Sequence, residues 1–121
     1  MNKSIEVPIL NDEYFVVVCW GTEKFVRKIG RYFHHEKEIK LLKNDRGTCY
    51  FYKKCAPIIV LPGYPKTCEE FGTLAHEAVH AVKNIFEHID EDICKSEEVF
   101  PHSVGAVVRI VLEKGKNKNK K

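Results

Sequence analysis

Nowhere does this chain run apolar for the roughly 20 residues that a membrane-spanning helix needs. Its first residues, Met-Asn-Lys-Ser-Ile-Glu-Val-Pro, never develop the apolar stretch of a secretory signal. Cys19, Cys49, Cys55, Cys68 and Cys94 make an odd set at irregular spacing with no Cys-x-x-Cys pair. That argues against a disulfide framework and against a thiolate zinc site. Basic and aromatic residues are not interleaved as single-stranded nucleic-acid binding requires, so nucleic acid is not an expected partner. There is no internal repeat and no candidate interdomain linker. These absences together lead us to expect a cytoplasmic protein, in the host cytoplasm if it is viral, that makes no membrane contact.

What is present suits one globular domain. The 121 residues fit a single core, and 44% of them are apolar. Aromatic residues cluster inside apolar segments, which favours packing. Charge is unevenly spread: Lys114, Lys116, Lys118, Lys120 and Lys121 lie in the last eight residues, and subtracting their five charges from the net +3 leaves −2. We therefore expect a mildly acidic domain over residues 1–113 and a disordered basic tail over 114–121. The tail is read as a solvated terminus in preference to a nucleic-acid or membrane anchor.

Periodicity predicts the elements. Tyr14–Trp20 reads as a strand closed by Gly21. Thr22 then caps a helix bearing Phe25, Val26, Ile29, Tyr32 and Phe33, which could end near His34-His35 or extend towards Leu42. Asn44-Asp45-Arg46-Gly47 is a turn signal, and two short strands follow at 48–53 and 57–61, plausibly as a hairpin. After Pro62-Gly63-Tyr64-Pro65, Thr67 stands three residues before Glu70, the spacing of a capping box. The long helix it opens carries Leu74, Ala75, Ala78, Val79, Ala81, Val82, Ile85 and Phe86 and should run to about His88. A last helix, preceded by the cap-like Ser96, holds Val104, Val107, Val108, Ile110, Val111 and Leu112.

The long helix contains His76-Glu77-Ala78-Val79-His80, a His-Glu-x-x-His motif. Residues four apart share a helix face, so both imidazoles can address one point. That is the geometry in which two histidines hold zinc. Glu77 leaves the helix beside them, placed to take a proton from a zinc-activated water as it attacks a carbonyl. The other residues between Thr73 and Val82 are uncharged, so the helix could lie buried under an active-site floor. A catalytic zinc wants a third protein ligand. One arrangement places a histidine six residues after the second motif histidine with a glycine midway; here those positions are Phe86 and Lys83, which excludes it. The other takes a glutamate from a following helix, and Glu97 and Glu98 are the candidates. His34 and His35 are adjacent and diverge by about 100° on a helix, a poor chelate. His88, two turns past His80, reads as exposed, and Cys68 as a small half-buried residue.

The stretch 58–110 resembles the small, phage-type metallopeptidase-like proteins of the gluzincin group of zincins. The resemblance rests on Ile58-Ile59-Val60-Leu61-Pro62, on Gly72-Thr73-Leu74-Ala75-His76-Glu77, on Glu97-Glu98-Val99-Phe100 and on Gly105, and covers somewhat under half the chain. It implies an α+β, zincin-like fold: a small, mostly antiparallel sheet packed on the active-site helix, with a C-terminal helix after it. It also implies Glu98 as the third zinc ligand, with Glu97 as the fallback. Two positions depart from the pattern. Pro101 falls where the family continues a helix, so the last helix should start near it or kink. His102 stands where the resemblance leads one to expect a tyrosine, and could donate a hydrogen bond to a developing oxyanion.

The expected function is a zinc metallopeptidase acting on a peptide or protein substrate. Zinc is its cofactor, with His76, His80 and Glu98 as metal ligands and Glu77 and His102 as catalytic residues. An extended peptide would pair with the strand at 58–61. The alternative is a zinc-binding, non-catalytic, phage-type modulator that binds a host or viral protein. A nucleic-acid-associated factor anchored by the lysine tail is a third reading.

Overall fold

The computed structural model of the chain describes residues 1–10, 13–33, 47–51, 56–89 and 99–116. They form β1 (Lys3–Ile9), β2 (Tyr14–Trp20), α1 (Glu23–Tyr32), β3 (Thr48–Tyr50), β4 (Ile58–Val60), α2 (Cys68–His88) and α3 (Val99–Lys114). The four strands make one mixed sheet in the order β1-β2-β4-β3. β1 runs antiparallel to β2, with Val7 opposite Val16, and β3 antiparallel to β4, with Cys49 opposite Ile59. β2 and β4 run parallel, Val18 beside Ile59.

Two apolar layers cover the sheet. Val16, Val18, Trp20 and Ile59 face α2 and α3 in the larger cluster, while Val17, Cys19, Ile58 and Val60 face Val26 of α1 in the smaller. Burial on both faces explains why Val-Val-Val-Cys-Trp and Ile-Ile-Val are continuous apolar runs rather than alternating ones. β1 is covered on one face only: Ile5, Val7 and Ile9 are buried, and Ser4, Glu6 and Pro8 are exposed. Pro8 suits an outer strand because it has no N–H to donate to a ladder.

β1 is an element that the sequence reading omitted. It supplies Ile5, Val7 and Ile9 to the core and joins β2 in a hairpin, where the Glu13 N–H donates to the Leu10 carbonyl at 3.2 Å and Leu10 takes φ 52°. The predicted helix starts hold. Thr22 caps α1 by accepting from the Phe25 N–H, and Phe33 closes that helix. Thr67 and Glu70 form the reciprocal box that opens α2. α3 begins two residues before Pro101, so the proline sits in the first turn, where a missing N–H costs nothing.

The C-terminal boundary falls later than expected. Lys114 belongs to α3, and Gly115 is buried, its N–H bonded to the Val111 carbonyl at 2.8 Å. A Cβ on Gly115 would stand 2.6 Å from Trp20, so only glycine allows the helix end to close on that ring. Tyr64 fastens the same corner. Its hydroxyl donates to the Leu112 carbonyl at 2.8 Å, and its ring meets Trp20 edge-on with centroids 6.2 Å apart. Residues 117–121 of the expected tail lie outside the described residues. No helix among the described residues is long and apolar enough to cross a membrane.

The α2 cap has a pH signature. Glu70 Oε1 accepts from the backbone N–H groups of Lys66 at 2.7 Å and Thr67 at 3.1 Å, and these bonds hold its carboxyl below the ordinary value of 4.5. A depressed folded-state pKa stabilises above the unfolded value and ceases to as pH falls through the folded one. Thr67→Ala should therefore cost about 1 kcal/mol in denaturant unfolding at pH 7. Glu70→Gln should lower Tm at pH 7, with the deficit closing as pH drops below 4.5. A deficit that stays constant to acid would show that the Glu70 charge has no part in the cap.

Candidate metal centre

α2 packs through Leu74, Ala78, Ala81, Val82, Ile85 and Phe86. That stripe leaves His76 and His80 on the outer face, both exposed, and Glu77 half-buried at the flank. The motif is thus not buried under a floor as its uncharged neighbours suggested, and Val79 between the histidines is itself 40% exposed.

The two imidazoles converge. His76 Nε2 and His80 Nε2 are 3.1 Å apart, with ring centroids at 4.7 Å and planes crossing at 76°. Two nitrogens at the usual zinc distance and a tetrahedral angle would stand about 3.3 Å apart. The separation of the pair is thus close to that of two corners of a tetrahedral zinc site, and without a metal it is the distance of a hydrogen bond between the rings. Among the described residues no third His, Cys, Asp or Glu side chain joins them in a group able to hold a metal. Glu98 and Glu97, the sequence candidates for that place, lie outside the described residues. So do His34, His35, Cys55 and Cys94.

Glu77 faces the sheet side of α2. It lines a cavity of about 370 Å³ with Gly47, Glu69, Gly72, Thr73 and His76. Across from it, Cys49 on β3 is packed against the larger core cluster. Burial, and then the negative charge of Glu77, push the Cys49 thiol well above its ordinary range. The approach of β3 depends on Gly47, where a Cβ would come within 2.8 Å of Leu61 and 3.1 Å of Thr73.

The sequence-derived residues end up in different places. His76, His80 and Glu77 share one helix surface. His102 is exposed in the first turn of α3, and His88 is exposed with its Nδ1 2.8 Å from the Asn84 carbonyl oxygen. Cys68 is exposed rather than half-buried. The strand expected to pair with a peptide is also displaced. β4 lies between β2 and β3, so both its edges are already in ladders. β3 is the outermost described strand on that side and packs against α2. Sequence reasoning singled out neither Glu69 nor Thr73 and found no local partner for Cys49. The first two stand seven and three residues before His76, helical spacings that place them on its face. Cys49 needed the β3–β4 register to be found.

Comparison of the chain with protein-family models, with curated proteins and with solved structures finds no match.

Thiol reactivity checks this geometry. Burial pushes the Cys19 thiol up to about 12 and the Cys49 thiol up as well, while Cys68 stands exposed. The thiolate is the reactive form. Iodoacetamide at pH 7.5 should therefore alkylate Cys68 well before Cys19 or Cys49, read by peptide mass mapping. Early labelling of Cys49 would show that β3 does not hold it against α2.

Proposed function

We propose that this chain is a small zinc-dependent hydrolase of zincin-like, gluzincin-type design that acts on peptide bonds. One observation carries the reading: the 3.1 Å approach of His76 Nε2 and His80 Nε2 on an exposed helix face. Without a metal the two Nε2 atoms share a hydrogen bond, one ring donating and the other accepting, and a zinc ion would take the place of the shared proton. When bound there, zinc supplies a Lewis acid and a water of pKa roughly 7.

The chain's own residues then have separate duties. His76 and His80 present their Nε2 atoms, each with Nδ1 left to carry the ring proton. Glu77, half-buried and lining the cavity beside His76, accepts a proton at its carboxylate. A carboxylate at that position has no use in a purely structural zinc site. β3 takes over the role expected of β4. Through Thr48 and Cys49 it can align an extended peptide beside α2 by backbone pairing. Glu98 remains the proposed third ligand, and His102 the proposed oxyanion donor. His102 sits in the first turn of α3, whose Phe100 packs edge-on against Phe86 of α2 with centroids 5.4 Å apart.

The test uses the full chain and its Glu77→Gln and His80→Ala variants. The unaltered protein and Glu77→Gln should each bind one equivalent of zinc by metal analysis, and only the unaltered protein should cleave a broad peptide library. Zinc at 100 times its Kd should stabilise the unaltered protein by about 2.7 kcal/mol, seen as a rise in Tm that His80→Ala abolishes. Less than one equivalent of zinc in the unaltered protein would overturn the proposal. One equivalent in both proteins with cleavage by neither would assign the chain to zinc-dependent binding of a host or viral protein.

A further inference from the structure

We draw no further inference here: the strongest candidate, the outer edge of β1, which no strand among the described residues pairs with and which α3 packs beside, carries no proposal because nothing in the structure shows what covers it.

Discussion

Leu74, Ala78, Ala81, Val82, Ile85 and Phe86 hold α2 along one stripe against the sheet and α3, and a helix held along a stripe has no freedom left to rotate. Every functional direction follows from that rotational setting. With the buried stripe inward, His76 and His80 must face out, and Glu77 must lie at the flank towards β3. The reciprocal Thr67–Glu70 box fixes where the helix begins, and so its register on the sheet. Packing and capping together turn a sequence spacing into a convergence of two ring nitrogens.

The electrostatics of the region divide three neighbouring carboxylates by surroundings. Glu70 is held ionised by backbone N–H groups. Glu77 is half-buried beside Cys49, whose ionisation is opposed by burial and then by the charge of Glu77. Glu69 stands exposed at the cavity rim. One residue type on one helix thus provides a structural anchor, a half-buried carboxylate and a free charge. What separates the three is the direction in which each side chain leaves the helix.

Much of this was legible in the sequence because it is local. The helix starts at Thr22 and Thr67 are set by side chains three residues from the groups they bond, and the 3.6-residue apolar period of α2 names its buried stripe. The histidine pair is one helical turn of the same pattern. Non-local features were harder to read. The alternation of Ile5, Val7 and Ile9 was the available signal for β1, interrupted by Glu6 and Pro8, and what makes it a strand is its pairing with β2. Strand order put β4 in the sheet interior and so moved the candidate peptide-pairing role to β3, which no short window of sequence reveals. Gly115 looked like part of a solvated tail because its burial depends on Trp20, far away in the chain.

The parallel seam between β2 and β4 has a kinetic meaning. β1 with β2, and β3 with β4, are hairpins whose strands are near neighbours in sequence, and such units close quickly. Val17 and Ile58, which meet across the seam, are about 40 residues apart, so joining the hairpins carries the larger loop-closure penalty and sets a slower clock. α2 packs against strands from both hairpins, which means that its histidine face acquires a fixed backing only once the two have met. The nascent chain therefore carries its two-histidine helix before it has the sheet that backs it.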